Sequence, residues 1–345
     1  MPVRSDVTFA ELTSLRLGGP ARRLVEVTTE ADLIEAVRAA DEAGEPLLVV
    51  AGGSNLVVAD TGFDGTVVRV ATRGVAAETD GPGTAATVTV AAGEVWDDLV
   101  ARAVAEGWRG IEAMSGIPGS VGATPIQNVG AYGQEVAETI VRLRAWDRRQ
   151  RRVRTFLPGE CGFAYRTSAF KGDDRFVVLD VTYRLPGGGV GGSPVRYAEL
   201  ARRLGVAVGD PAPPNEVRTA VLELRRGKGM VLDDGDHDTW SAGSFFTNPV
   251  LDPSRVPEGA PAWPQPDGRV KTSAAWLIDH AGFGKGHPGP GGRVALSTKH
   301  PLALTNRGGA STADLLALAR QVRDGVRARF GIELVNEPTL VGCSL

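Results

Sequence analysis

Stretches of period-two and period-3.6 hydrophobicity alternate from the start of the chain, which predicts strands and helices in turn. RLVEV (23–27) reads as a strand and 28–44 as a helix, with Thr29 placed to cap it and Leu33, Ile34 and Val37 on one face. Gly44 is a natural stop, because the residue that ends a helix in the left-handed region is usually glycine. LLVV (47–50) is a buried-strand run that leads directly into the turn AGGSN (51–55). Strand signals recur at 66–70 and 87–92, helical periodicity at 95–106, and strand patterns at 139–147, 151–156 and 175–185.

A second region follows. Residues 214–229 form an amphipathic pattern with Val217, Val221, Leu222 and Leu224 apolar and a basic end, and 273–282 predict a shorter helix. The best helix is 311–330: Ser311 and Asp314 suit a capping box, and Leu315, Ala319, Val322, Val326 and Phe330 make one stripe. The tail 332–342 reads as a strand, a break at Pro338 and a second strand. Between the regions lies PGGGVGGSP (186–194), with a formal G-x-G-x-x-G at Gly187, Gly189 and Gly192. A dinucleotide fingerprint needs its third glycine to open a helix, whereas Ser193 and Pro194 come next, so the stretch is read as a flexible connector.

Composition narrows the function classes. With 345 residues, 42% of them apolar, the chain can bury the cores of two or three domains. A net charge of −3 leaves no basic footprint, so no nucleic-acid partner is expected. No run approaches the length of a membrane span, and MPVRSDVTFA lacks a signal-peptide core, so no membrane association and a cytoplasmic location are expected. Two cysteines, Cys161 and Cys343, make neither a disulfide framework nor a zinc site. The four histidines lack metal-ligand spacing, so no metal is expected.

Candidate chemistry is concentrated in GIPGSVGATPIQNVGAYG (116–133), where glycines at 116, 119, 122, 130 and 133 are interleaved with Ser120, Thr124, Gln127 and Asn128, directly after Ser115. Glycine lets main-chain N–H groups approach a ligand, and successive N–H groups form anion-binding nests. With the similar AGGSN turn, this segment suits a dinucleotide pyrophosphate held by neutral donors, or else both are merely irregular turns. CGFAYRTSAFKG (161–172) offers Arg166 as a fixed guanidinium, or as an ordinary surface arginine lying over Phe163 and Phe170. Arg225 and Lys228 suit a helix C-terminus, Glu337 a turn, and Ser244 in SAGSFFTNP (241–249) either a turn or a working hydroxyl.

Taken in order, GGSNLVV, GIPGSVGATPIQNVGAYG, CGFAYRTSAFKG, SAGSFFTNP, AAWLIDHAG and NEP resemble the UDP-N-acetylenolpyruvoylglucosamine reductase family, in its longer subtype with a substrate-covering tyrosine loop. The resemblance implies an α+β fold: a two-part FAD-binding domain of the vanillyl-alcohol-oxidase/PCMH type plus a smaller α+β substrate-binding domain. Mapped here, the FAD-binding domain covers 1–187, split near 70, the connector and substrate loop 188–210, and the substrate domain 211–330. Residues 331–345 bring a C-terminal strand back to the active site. The implied reaction is NADPH-dependent reduction of UDP-N-acetylglucosamine enolpyruvate to UDP-N-acetylmuramate through non-covalent FAD, by a monomer, in peptidoglycan precursor synthesis. No histidine precedes His237, so a histidyl-FAD link in the flavin domain is not available.

Carried over position by position, Arg166 resembles the substrate-activating arginine, Ser244 the proton donor and Glu337 the C-terminal acidic residue. Implied FAD contacts are Gly52, Gly53, Ser54, Asn55 and Leu56 in the first turn. In the second they are Ser115, Gly116, Pro118, Gly119, Ser120, Gly122, Asn128, Gly130, Tyr132 and Gly133. Implied substrate contacts are Tyr165, Tyr197, Arg225, Lys228, Asn248, Trp263, Lys285 and His300. Trp263 replaces the tyrosine expected in the subtype, and the glycine connector lengthens the loop. Two other readings stand beside this one: a flavin oxidase of the same fold that reacts with oxygen, and a non-catalytic nucleotide-sugar-binding protein.

Overall fold

The computed structural model describes residues 2–81, 83–187 and 192–345. Two compact units emerge: one from the N-terminal residues through Ser5, Arg22–Gly52 and Asp64–Gly227, the other from Asp6–Ala21, Gly53–Phe63 and Lys228–Leu345.

The first unit holds two sheets, one on each side of residue 70. The earlier one has four strands in the order Val3–Arg4, Ala21–Val27, Phe63–Val70, Leu47–Val50, and its last pair is parallel. The later one is antiparallel, in the order Arg152–Phe156, Ile140–Asp147, Phe176–Leu185, Ala86–Ala91, Val75–Thr79. Strand Ala86–Ala91 alternates buried and half-buried residues, as a strand with one face on the core should, whereas Phe176–Leu185 is buried almost throughout.

Helix α1 (Glu30–Ala43) begins where the sequence places it: Thr29 accepts the Asp32 N–H at 3.1 Å, and Gly44 closes the helix at φ 65°. Helix α2 (Trp96–Ala105) buries Trp96, Leu99, Val100 and Ala103. A fully buried aliphatic or aromatic side chain contributes about 1.5–3 kcal/mol, so this face anchors α2 firmly.

A smaller apolar cluster joins helices α3 (Ala198–Leu204) and α4 (Pro214–Gly227) through Leu200, Ala201, Val217, Ala220 and Val221. This corrects the expected connector over 188–210. Residues 188–191 lie outside the described residues, and Gly189 of the formal glycine motif with them. From Ser193 onward the chain is built structure, a short ladder of Ser193–Pro194 with Pro211–Ala212 enclosing α3.

The second unit packs around helix α6 (Thr312–Phe330). Its capping box forms as expected, with the Asp314 N–H donated to the Ser311 hydroxyl at 3.1 Å. Leu315, Ala319, Val322 and Val326 are fully buried, whereas Phe330 is only half-buried. Helix α5 (Ala274–His280) contributes Leu277 and Ile278, and Phe245 and Phe246 complete the core.

Two expectations about boundaries and tail are corrected. Strand Leu56–Val58 pairs in parallel with Thr339–Val341, a contact across most of the chain that local patterning cannot reveal, and it draws 53–63 into the second unit. Conversely, α4 belongs to the first unit, because its apolar face meets α3. The tail has one strand where two were expected; 332–338 is irregular, held by a single bridge between Phe246 and Asn336.

Candidate active site

The glycine loop 115–133 belongs to the first unit, and the core fixes it along its length. Trp96 Nε1 donates to the Met114 carbonyl at 3.1 Å just before the loop begins. The Trp96 N–H bonds the Gly119 carbonyl at 3.0 Å, and the Val121 and Gly122 N–H groups bond Glu94 and Ala92, both at 2.8 Å. Thr124 Oγ1 shares a hydrogen bond with the buried Tyr183 hydroxyl at 3.0 Å. Such a loop is an ordered element rather than a loose turn.

Two glycines there are needed for close approach. A Cβ on Gly52 would sit 2.7 Å from Gly119 Cα, so the AGGSN turn and the long loop touch backbone to backbone. A Cβ on Gly122 would come within 2.5 Å of Ala92 Cβ. Inside this cradle Ser120 Oγ is buried and makes no hydrogen bond. A buried hydroxyl without a partner is rare in a folded protein and marks a place for a ligand group. Neutral donors, close backbone and an orphaned hydroxyl suit the pyrophosphate of FAD.

Several of the expected FAD contacts are also tied into the protein itself. Ser115 Oγ donates to the Glu112 carbonyl at 2.7 Å, closing its own turn. Asn128 Nδ2 donates to Glu135 at 2.7 Å and to the Ala164 carbonyl at 3.1 Å, while its Oδ1 accepts the Ala137 N–H at 3.2 Å. These side chains brace the loop. Gly53, Ser54, Asn55 and Leu56 lie in the second unit, where Gly53 at φ 58° runs against the Leu12 carbonyl and the Asn55 carbonyl accepts the Thr339 N–H at 2.9 Å. Pro118 is exposed and Gly116, Gly119 and Gly130 are half-buried along the loop, with Gly133 at its exposed end.

Arg166 is fixed against the same loop. Its Nη2 donates to the Gly130 carbonyl at 2.6 Å, its own carbonyl accepts Lys171 Nζ at 3.0 Å, and its guanidinium lies 5.3 Å from the Tyr165 ring. Its backbone is in the left-handed region at φ 53°, as are those of Asn128 (46°) and Tyr132 (48°). Non-glycine residues in that region cost of order 1–3 kcal/mol and cluster at functional sites. Tyr132 meets Tyr197 edge-on with ring centroids 5.5 Å apart. Burial pushes the Tyr132 hydroxyl up to about 12, raises Tyr197 as well, and lowers half-buried Arg225 on α4.

In the second unit the structure brings Ser244 and Glu337 onto neighbouring segments. The Phe245 N–H donates to the Leu302 carbonyl at 2.7 Å, and the Phe245 carbonyl accepts the Glu337 N–H at 2.8 Å. Gly243 at φ 72° makes the turn that presents Ser244, and both flanking phenylalanines of SFF are buried. The half-buried Ser244 hydroxyl makes no hydrogen bond among the described residues. A serine kept to satisfy its turn would be bonded to it; this one is not.

The remaining expected substrate contacts are spread over the second unit. Asn248 Oδ1 accepts the Ala274 N–H at 2.9 Å at the start of α5. Trp263 is exposed on Ala262–Pro264 opposite Lys271, Lys285 is exposed on a loop, and Lys228 and His300 are half-buried. Sequence reasoning missed Asp97 and Arg218, whose carboxylate and guanidinium meet at the start of the glycine loop. They are 121 positions apart, and neither belongs to a motif.

Residues 21–155 match the FAD binding domain family, and with the two-sheet scaffold this defines a flavoprotein of the vanillyl-alcohol-oxidase/PCMH type. Residues 235–341 match a second family, described as UDP-N-acetylenolpyruvoylglucosamine reductase, C-terminal domain. The UDP-N-acetylenolpyruvoylglucosamine reductase of Cutibacterium acnes is 60% identical over 99% of this chain and 90% of its own length. That of Salinispora arenicola is 58% identical over 99% and 96%. The crystal structure of UDP-N-acetylenolpyruvylglucosamine reductase from Thermus caldophilus is similar at a TM-score of 0.67 and 25% identity, over 99% of this chain and all of that one. The chain belongs to the UDP-N-acetylenolpyruvoylglucosamine reductase family and is an FAD-containing oxidoreductase.

Proposed function

We propose that Arg166, Ser244 and Glu337 carry the family's reaction in this chain: NADPH-dependent reduction of UDP-N-acetylglucosamine enolpyruvate to UDP-N-acetylmuramate in peptidoglycan precursor synthesis. Bound FAD supplies the hydride carrier between NADPH and the enol ether. Gly52, Gly119 and Ser120 hold it, through close backbone and the otherwise unbonded Ser120 hydroxyl, on a loop that Gly122 seats against Ala92.

Hydride addition to the terminal carbon of the enol ether leaves negative charge on the adjacent carbon, shared with the carboxylate as an enolate. Arg166, locked by Gly130 and Lys171, supplies a fixed positive charge for that carboxylate. Glu337 orients the site or donates a proton-carrying hydrogen bond as charge develops. The carbanion is a strong base, so a weakly acidic hydroxyl suffices to protonate it if correctly aimed. The observation that carries this reading is the unbonded Ser244 hydroxyl, next to Phe245, whose N–H and carbonyl are held by backbone bonds to Leu302 and Glu337. Tyr197, beside Tyr132, acts as the substrate lid, and Arg225, Lys228, Asn248, Trp263, Lys285 and His300 contact the nucleotide sugar.

We place the reaction in the cytoplasm, within the wall biogenesis that underlies cell shape and division, and carried out by a monomer. Among the described residues no helix is long and apolar enough to cross a membrane. The test is direct: acid precipitation must release FAD into the supernatant, and, without oxygen, the holoenzyme must consume NADPH beyond one equivalent per flavin only when the enolpyruvyl sugar is present. A colourless protein that takes up no flavin on reconstitution contradicts the assignment.

A further inference from the structure

Asp97, in the first turn of α2, joins three elements at one carboxylate. Its Oδ1 accepts the Gly116 N–H at 2.6 Å and Arg218 Nη1 at 2.6 Å, and its Oδ2 accepts Arg218 Nη2 at 2.8 Å. Gly116 opens the glycine loop, and Arg218 lies on α4. A bidentate guanidinium–carboxylate pair is among the strongest and most directional contacts available to a side chain. Here it is largely shielded, with side-chain exposures of 30% for Asp97 and 19% for Arg218. Burial alone would raise the Asp97 carboxyl, but the hydrogen bonds from Arg218 and the Gly116 amide outweigh it and hold it below the ordinary value. The group is therefore a carboxylate, and an acceptor only, at neutral pH.

The pair has two consequences. The Gly116 amide is engaged by Asp97 and fixes the direction in which the loop leaves Ser115 toward the unbonded Ser120 hydroxyl. Arg218 and Arg225 are seven residues apart on α4, two turns and hence one face, so anchoring Arg218 also sets where Arg225 projects.

We propose that Asp97, clamped by Arg218, is a positioning residue for the flavin site: it sets the start of the glycine loop for the FAD diphosphate and couples that loop to the Arg225 face of α4. The proposal rests on reading 115–133 as the flavin loop.

The test measures FAD release from the holoenzyme, followed as the return of free-flavin fluorescence on dilution, beside thermal unfolding of each variant. Asp97→Ala removes both contacts and should speed release by about tenfold or more, as loss of a hydrogen bond to a charged group implies. Arg218→Met removes only the ion pair, and Asp97→Asn keeps a carbonyl acceptor for Gly116; both should speed release by about threefold, well short of the alanine variant. A purely structural role would lower the melting temperature of all three without this ranking. Release within twofold of the parent for Asp97→Asn and Arg218→Met, or equal losses in all three variants, overturns the proposal.

Gly52→Ala separates this outcome from failure of the flavin-loop reading. Its new Cβ would press on Gly119 and part the two turns. If Gly52→Ala speeds release while the Asp97 and Arg218 variants do not, only the present proposal fails; if Gly52→Ala also has no effect, the loop is not the flavin site.

Discussion

Replacing Ser244 by alanine separates chemistry from architecture more cleanly than any other single change. The side chain removed makes no hydrogen bond among the described residues, so no buried partner is stranded. The turn itself is held by the backbone bonds of Phe245 to Leu302 and Glu337 and by two buried rings, none of which involves the hydroxyl. Stability should therefore change by no more than about 0.5 kcal/mol. A serine that satisfied its own turn would instead cost about 1 kcal/mol on removal. Activity should behave in the opposite way. A positioned general acid contributes roughly 10²–10⁴-fold, equivalent to about 2.7–5.4 kcal/mol of barrier. Flavin reduction by NADPH delivers no proton to substrate carbon and should keep the parent rate, while reoxidation by the enolpyruvyl sugar slows by that factor. Ser244→Cys should recover part of the loss, since a thiol also donates a proton. Stopped-flow flavin absorbance resolves the two half-reactions. If Ser244→Ala reoxidises with substrate at the parent rate, the proton comes from elsewhere and the reasoning fails.

Three other outcomes are expected. Tyr197→Phe keeps the ring contact with Tyr132 but removes the hydroxyl, and should slow the half-reaction with substrate more than the one with NADPH; equal losses would assign Tyr197 to general stability. Gly122→Ala forces a Cβ to 2.5 Å from Ala92 Cβ and should cost about 1–3 kcal/mol by thermal unfolding together with flavin affinity, partly recovered by adding Ala92→Gly. Asp147 is fully buried and held down to about 2 by Arg175 and the Gln150 and Arg149 amides. Its stabilising contribution is thus present above the ordinary carboxylate value near 3.8 and lost as pH falls toward 2, and Asp147→Asn should flatten acid unfolding in that window.

Local physics was legible in the sequence. Thr29 and Gly44 bound α1, and Ser311 with Asp314 opens α6, because caps act within a few residues. What the sequence hid was non-local. Nothing in LVV (56–58) announces a parallel partner at 339–341, so the second unit's claim on 53–63 was invisible. The apolar stripe of α4 was clear, but a stripe does not say what it packs on, and α4 joined α3 rather than the C-terminal core. The same division holds at the site. The glycine loop was found by composition, while the engagement of Ser115 and Asn128 inside it, and of Asp97 beneath it, depends on geometry that only folding creates. Arg166, Ser244 and Glu337 were found through motif order along the chain, since each alone reads as an ordinary surface or turn residue.

The central claim is that this chain passes hydride from NADPH to an enolpyruvyl nucleotide sugar through bound FAD. Anaerobic stopped-flow mixing of the holoenzyme tests it most directly. NADPH should bleach the flavin, and UDP-N-acetylglucosamine enolpyruvate, added without oxygen, should then restore the oxidised spectrum with stoichiometric formation of UDP-N-acetylmuramate. A flavin that NADPH leaves oxidised, or one that only oxygen restores, would contradict the account and point to a binding protein or an oxidase built on the same fold.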